Sequence, residues 1–158
     1  MSTDLGQPRV FTVGHGLLEQ RDFLELVRSF GVDLLIDVRS QPYSARAPQF
    51  NREALERVSG DMSYRWMPEL GGRPSAHLRT ESGAPDYERM AQQPETRRGL
   101  DEVAGLAGTH TIALMCSESR PDECHRSRML EPQLAQRGVW VEHILHFGEL
   151  AAKPTLFA

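Results

Sequence analysis

The chain has 158 residues, of which 39% are hydrophobic and 25% are charged, and its 18 basic and 22 acidic side chains give a net charge of -4. This length and composition predict one globular domain, residues 1–158, whose core needs neither disulfide bonds nor a structural metal. The acidic balance argues against a general nucleic-acid coat protein, because such proteins carry a strong positive excess. Lys153 is the only lysine beside 17 arginines, a bias that we attribute mainly to coding composition, although arginine also binds carboxylate and phosphate.

The sequence predicts a cytoplasmic protein that does not contact membranes. No apolar run approaches the roughly 18 residues that a membrane span needs. The polar start at residues 1–8 does not have the basic-then-apolar pattern of a signal peptide. Cys116 and Cys124 lie close together in the sequence, and we expect both to be reduced thiols because disulfides are rare in the cytoplasm.

Apolar periodicity and turn residues predict strands and helices that alternate along the chain. The predicted elements are a strand at 9–13, a helix at 17–30, a strand at 32–38, a loop at 39–49, a helix at 50–58, a strand at 64–67, a loop at 68–83, helices at 86–91 and 95–107, a strand at 110–115, a helix at 121–136, a strand at 139–145, and a tail of loop or weak helix at 147–158. Pro132 is expected to kink or split its helix because proline has no backbone N–H. The alternation predicts a Rossmann-like, three-layer α/β domain with a mostly parallel sheet of four to five strands.

Polar and reactive residues cluster where three of the predicted strands end. Ligands of α/β proteins bind outside the carboxyl ends of parallel strands, where helix N-termini also converge. Three separate segments are therefore expected to meet at one edge of the sheet. Their residues are Gly14 and His15 after the first strand, Asp37, Arg39 and Ser40 after the second, and Cys116, Glu118, Cys124, His125 and Arg126 after the late strand.

Cys116 ends a predicted strand and precedes a predicted helix. The helix dipole and the neighbouring basic side chains favour a thiolate, so we predict a lowered pKa for Cys116 and a role as nucleophile or redox thiol. The alternative is a buried cysteine that only completes a core strand. For Cys124, which lies directly before His125, the alternatives are a resolving thiol, a metal ligand and a helix residue that packs inward.

Two loops carry candidate residues for binding an anion. The first combines arginines, hydroxyls and an amide, and the second has paired glycines that allow backbone to approach a ligand or to form a tight turn. Asp37 is expected to orient the first loop or one of its arginines. The candidates are Arg39, Ser40, Ser44, Arg46 and Asn51 in the first loop and Gly71, Gly72 and Arg73 in the second.

Taken together, the motifs resemble those of the DUF488 family, a domain of unknown function. They are T-V-G-H at 12–15, I-D-V-R-S-x-P-x-S at 36–44, P-Q-F-N at 48–51, Tyr64 with L-G-G-R at 70–73, C-x-E at 116–118, C-H-R at 124–126 and V-x-H-I at 141–144. The resemblance spans roughly residues 10–146, and the C-x7-C-H-R element is its most distinctive part. The family pattern commonly has arginine directly after the serine at 44, whereas Ala45 intervenes here before Arg46. The resemblance implies catalysis by the cysteine–histidine–arginine motifs and implies no particular substrate.

The leading hypothesis is an enzyme that acts on a phosphate-bearing or otherwise anionic small molecule, such as a nucleotide. Cys116 is its predicted nucleophile or redox thiol, and His125 or His15 is the proton carrier. Arg39, Arg46 and Arg126 are predicted to bind the anion, oriented by Asp37 and Glu118. The alternatives are a non-catalytic nucleotide or nucleic-acid binding module, which the net charge disfavours, and a metal site of cysteine and histidine. A zinc site usually contains a C-x2-4-C pair, which this sequence lacks. The sequence leaves both the cofactor and the oligomeric state undetermined.

Overall fold

The computed structural model describes residues 7–58 and 60–153 of the chain. In this part of the chain one sheet of five strands forms the centre, and all neighbouring strands run parallel. The strands are β1 (Arg9–Gly14), β2 (Leu34–Asp37), β3 (Ser63–Trp66), β4 (Ile112–Cys116) and β5 (Trp140–Ile144). Their order across the sheet is β3-β2-β4-β1-β5. The prediction of a parallel sheet with four to five strands is confirmed.

The interior strands are apolar along most of their length because they have a neighbour on each side and helices on both faces. Every residue of β2 and β4 is buried. The edge strand β3 alternates between exposed and half-buried residues, and the other edge strand, β5, begins with the exposed Trp140. Continuous apolar runs are typical of buried parallel strands.

Helices cover both faces of the sheet. They are α1 (Gln20–Ser29), α2 (Arg52–Val58), α3 (Tyr87–Gln92), α4 (Pro94–Leu106) and α5 (Glu131–Gln136). Phe23 of α1 and Leu55 of α2 belong to the core cluster on one face. Leu100 of α4 and Leu134 of α5 belong to the cluster on the other face, so the predicted three-layer arrangement is also confirmed.

The largest difference from the predicted elements is the helix expected over 121–136. It is divided into a single 3-10 turn at Pro121–Glu123, a wide π-helical turn at Arg126–Leu130, and α5. Pro132 stands in the first turn of α5, and the N–H of Glu131 bonds to the carbonyl of Arg126, five residues back. The helix was predicted to kink or split at Pro132; the structure has instead a wide turn that directly precedes α5, whose first turn contains the residue that lacks an N–H.

Smaller differences concern where elements begin. The first helix begins at Gln20 and not at residue 17, and a 3-10 turn at Pro48–Phe50 precedes α2. The predicted loop at 68–83 contains short turns at Pro68–Leu70 and Ala76–Leu78. In the tail, Leu150 forms an antiparallel bridge with Ile144, while its last part, residues 154–158, and the polar start at 1–6 lie outside the described residues. Within the described ranges, no helix has both the length and the apolar character of a membrane span.

Candidate functional site

A cavity of about 320 Å³ lies at the carboxyl ends of β2 and β4. This is the edge of the sheet at which the polar residues were expected to meet. Nine of the predicted site residues line it, beside four that were not predicted. The lining residues are Arg39, Ser40, Gln41, Tyr43, Ser44, Gly72, Arg73, Tyr87, Cys116, Ser117, Glu118, Cys124 and His125.

The two thiols lie side by side in this cavity. The Sγ atoms of Cys116 and Cys124 are 3.2 Å apart, and Nδ1 of His125 is 3.3 Å from Cys124 Sγ. Cys116 is the last residue of β4, and Cys124 directly follows the turn at Pro121–Glu123. The turn therefore brings a second thiol and an imidazole to the end of the central strand.

The two thiols differ in pKa. Burial raises the pKa of the Cys116 thiol, and its hydrogen bond with Cys124 raises it further. The pKa of Cys124 is lowered, because the Cys116 thiol hydrogen-bonds to its sulfur and the His125 ring contacts it from another side. The prediction of a lowered pKa for Cys116 is therefore wrong: the strand end buries that thiol deeply, and of the two thiols it is Cys124 whose pKa is lowered.

Arg126 lies beneath the cavity and not in its wall. Its side chain is fully buried, with Nη2 donating to the carbonyl of Glu118 at 2.7 Å and Nη1 to Oγ1 of Thr12 at 3.3 Å. The main-chain carbonyl of Glu118, and not its exposed carboxylate, thus orients Arg126. The same carbonyl is 3.4 Å from Cys116 Sγ, so the arginine supports the segment that follows the thiol.

Arg39 is fixed at the cavity wall by the carboxylate of Asp37 and the carbonyl of Phe50. Its Nε and Nη2 donate to the two carboxylate oxygens of Asp37 at 2.8 and 2.7 Å, and Nη2 also donates to the carbonyl of Phe50 at 2.7 Å. The Tyr64 hydroxyl donates to the same carboxylate at 2.5 Å. Only 6% of Arg39 is exposed, so its guanidinium is held at the cavity with little freedom.

His15 completes the support of Arg39. Its Nδ1 donates to the carbonyl of Gly16 at 2.8 Å, so Nε2 is the acceptor that faces Arg39 Nη1 at 3.3 Å. Burial lowers the pKa of His15 to about 4, and its ring stacks on Phe50 with centroids 4.5 Å apart. His15 is therefore neutral at pH 7 and has both ring nitrogens engaged outside the cavity lining.

The predicted glycines allow loops to approach one another. A Cβ atom at Gly14 would lie 1.6 Å from the carbonyl oxygen of Glu118, and one at Gly72 would lie 2.8 Å from the His125 ring. A Cβ at Gly71 would meet Ser40 in the same way. Any larger residue at these positions would separate the segments that form the cavity.

The remaining polar residues of the first loop shape the loop itself. Ser40 Oγ accepts a hydrogen bond from the backbone N–H of Arg73, which joins the two predicted loops. Asn51 Oδ1 accepts from the backbone N–H of Ser44 at 2.8 Å, away from the cavity lining. Arg46 is exposed and does not line the cavity, so the structure does not bring it together with Arg39.

Four lining residues were missed by the sequence analysis. Gln41, Tyr43 and Ser117 are neighbours of predicted residues in the same loops, and a search of whole loops would have found them. Tyr87 belongs to α3, outside every motif, and no sequence signal points to it. Within the described residues, no group of three or more His, Cys, Asp and Glu side chains is placed to hold a metal ion.

Fold and site together define an α/β protein with a parallel sheet and a two-thiol cavity at the carboxyl ends of its strands. The family model of the domain of unknown function DUF488 matches residues 19–131. This is well over half of the chain, so the protein belongs to the DUF488 family. Comparison with curated proteins gives no match, and comparison with solved structures gives none.

Proposed function

We propose that the protein is a cysteine-dependent enzyme that acts on a small anionic molecule in the 320 Å³ cavity. The observation that carries the proposal is the position of Cys124 Sγ, 3.3 Å from His125 Nδ1 and 3.2 Å from a second thiol. A thiolate with an imidazole in hydrogen-bond reach is the usual arrangement of a nucleophilic cysteine. The proposal makes Cys124 the nucleophile.

The cations around the cavity support an anionic substrate. Arg73 lines it from the second loop as an exposed cation, and Arg39 lies at its wall in a fixed orientation, paired with Asp37. Arginine binds carboxylate and phosphate groups through its planar, forked donors. A volume of about 320 Å³ is at the lower end of ligand pockets, roughly 300–1,000 Å³, which favours a small molecule.

His125 supports the proton transfer that such a reaction needs. Its Nδ1 faces Cys124, whereas its Nε2 is buried and has no hydrogen-bond partner among the described residues. A buried donor or acceptor without a partner costs about 1–3 kcal/mol, and a bound substrate would supply the partner. His125, and not the fully engaged His15, is therefore the proposed proton carrier.

The chemical step follows from these positions. The Cys124 thiolate forms a bond to an electrophilic atom of the substrate while the bond to the leaving group breaks. The leaving group takes the electron pair of that bond and a proton from His125. Arg39 and Arg73 hold the anionic part of the substrate during the attack.

Alkylation by iodoacetamide between pH 5 and 9, followed by peptide mapping, tests this proposal. We expect Cys124 to react with a midpoint well below the ordinary thiol pKa of about 8.5, and the fast reaction to disappear in Cys124→Ser but remain in Cys116→Ser. Inorganic phosphate is expected to slow the alkylation. Arg73→Gln should weaken this protection, whereas Arg97→Gln, which removes an exposed arginine of α4, should leave it unchanged.

Two results would contradict the proposal in different ways. If both thiols react only at ordinary thiol pH, Cys124 is not an activated nucleophile. If Cys124 is alkylated rapidly but phosphate does not slow the reaction, the cavity does not bind an anionic substrate.

A further inference from the structure

We infer that the electrophilic atom is sulfur: the cavity takes a small disulfide that carries carboxylates, and Cys116 completes the reaction by closing a disulfide with Cys124. This inference rests on the proposed function, because it needs Cys124 as the nucleophile. It adds a role for Cys116, which the general nucleophilic mechanism does not use.

The distance between the thiols supports a resolving role for Cys116. The sulfurs are 3.2 Å apart, and a disulfide bond is about 2.05 Å long, so a movement of roughly 1 Å joins them. Cys116 stands at the end of β4 and Cys124 follows a short turn. Both positions are at the ends of elements, where small rotations of the side chains do not disturb the sheet.

The position of Cys116 favours a sulfur electrophile over phosphorus or carbon. A phosphoryl or acyl group on Cys124 is normally released by water, yet the nearest nucleophile to Cys124 Sγ is the Cys116 thiol. Attack by that thiol on Cys124 Sγ is productive when Cys124 carries a leaving group, as in a mixed disulfide or a sulfenic acid formed by a peroxide. Of these, a carboxylate-bearing disulfide uses both cysteines and also the arginines that line the cavity.

The two thiols are also unequal in access and protonation. Both residues are buried, but Cys124 is 8% exposed and Cys116 3% exposed, so Cys124 is the more accessible of the two. Cys116 Sγ lies 3.4 Å from the carbonyl of Glu118 and 3.2 Å from Cys124 Sγ, so its single S–H has two acceptors within reach. The first attack requires a thiolate at the more accessible cysteine, and the later resolution requires a protonated thiol that waits at the more buried one.

The electrons and protons of the reaction balance within the pair and its substrate. The Cys124 thiolate attacks one sulfur of the disulfide, the S–S bond of the substrate breaks, and the first half leaves as a thiolate. Cys116 then attacks Cys124 Sγ, its proton passes to the second leaving thiolate, and the second half departs. The substrate gains two electrons and becomes one thiolate and one thiol, while Cys116 and Cys124 lose two electrons and become a disulfide.

The cavity fits a substrate of this kind. Arg39 and Arg73 line it and match a carboxylate on the bound half. The unpartnered Nε2 of His125 gives that half, or its leaving thiolate, a polar contact. A volume of about 320 Å³ accommodates one half of a small disulfide while the other half remains in the opening.

Three small disulfides that differ in charge test the inference. The reduced, full-length protein is mixed with dithiodipropionate, which is anionic, with hydroxyethyl disulfide, which is neutral, or with cystamine, which is cationic. We expect dithiodipropionate to react about tenfold faster than hydroxyethyl disulfide, with cystamine slowest, because one charged contact has roughly this effect. Mass spectrometry should show the loss of two hydrogens and a Cys116–Cys124 bond that dithiothreitol reverses.

Variants separate the failure of this inference from the failure of the proposed function. Cys116→Ser should stop at one stable mixed disulfide on Cys124, and Cys124→Ser should not react rapidly. If the wild type also stops at the mixed disulfide, the role of Cys116 is wrong although Cys124 remains the nucleophile. If the rates do not depend on the charge of the disulfide, or change equally in Arg73→Gln and Arg97→Gln, the substrate class is wrong. If Cys124 reacts no faster than a free thiol, the proposed function itself fails.

Discussion

At the scale of single residues, the position of His125 depends on Gly72. The ring packs so closely on this glycine that an added Cβ would lie 2.8 Å from Cγ and Nδ1. Nδ1 is also the atom that faces Cys124 Sγ. A change at Gly72 therefore acts on the thiolate through the imidazole, although Gly72 itself has no reactive group.

Gly72→Ala is expected to move the His125 ring and to raise the alkylation midpoint of Cys124 by about one pH unit. Crowding of this kind should also lower the free energy of unfolding by about 1–3 kcal/mol. Gly105→Ala is the matched control, because Gly105 lies in α4 and a Cβ there meets no atom within 4 Å. It should leave the alkylation profile unchanged and increase stability by about 0.5–1 kcal/mol. A wild-type alkylation profile in Gly72→Ala would show that His125 does not set the reactivity of Cys124.

At the scale of elements, two buried histidines, His143 and His15, form hydrogen bonds between neighbouring strands, helices and loops. His143 of β5 contacts Oγ1 of Thr12 in β1 through Nδ1 at 2.6 Å and a carboxylate oxygen of Glu131 in α5 through Nε2 at 2.7 Å. His15 follows β1 and supports Arg39 after β2. Burial lowers the pKa of both histidines, so both favour the neutral ring in the folded protein.

Stability is therefore expected to fall as the pH drops from 6.5 toward 4. In this range the unfolded chain binds protons at these histidines more readily than the folded chain does, so protonation favours unfolding. For His15, with a pKa of about 4 in the folded state, the contribution that is lost reaches about 3 kcal/mol. Urea unfolding at several pH values measures the slope, which should be smaller in His15→Asn and unchanged in His77→Asn, a variant of an exposed histidine. Equal slopes in all three proteins would contradict the role of His15.

At the scale of the whole molecule, two hydrophobic clusters share one sheet. Leu114 of β4 belongs to one cluster and Met115, the next residue, to the other. If the helices of either face lose their packing, the backbone of β4, which contributes side chains to both clusters, becomes exposed. The two clusters are therefore expected to unfold together.

Leu55→Ala on one face and Leu100→Ala on the other test this coupling. Each side chain is fully or almost fully buried, and each substitution should cost about 2–5 kcal/mol. Tryptophan fluorescence and far-UV circular dichroism should give one coincident transition in each variant. A second transition, with one face unfolding before the other, would contradict the prediction of a single domain.

The location of the site at the carboxyl ends of the strands could be predicted, because the apolar runs of the strands stop at Asp37 and Cys116. The direct contact between Cys116 and Cys124 remained one alternative among several, because the pattern over 121–136 predicts a helix that already includes Cys124 and is interrupted only at Pro132. The 3-10 turn and the wide turn at Arg126–Leu130 depend on tertiary packing as much as on local sequence. The burial of Arg126 could not be predicted from the sequence either, because an arginine in a helical pattern normally lies on a solvated surface.

The position of β4 at the centre of the sheet has a consequence for how the protein is made. β1 and β2 do not pair with each other, because β4 lies between them. Gly14 can pair with Cys116 only after about a hundred further residues have been synthesised. Such distant pairing slows folding. A nascent chain that ends before residue 112 can form the β2–β3 pair, but β1 has no neighbour to join. The cysteines therefore acquire their surroundings only when β4 pairs with β1 and β2. The rate at which the thiols become reactive reports this step of folding.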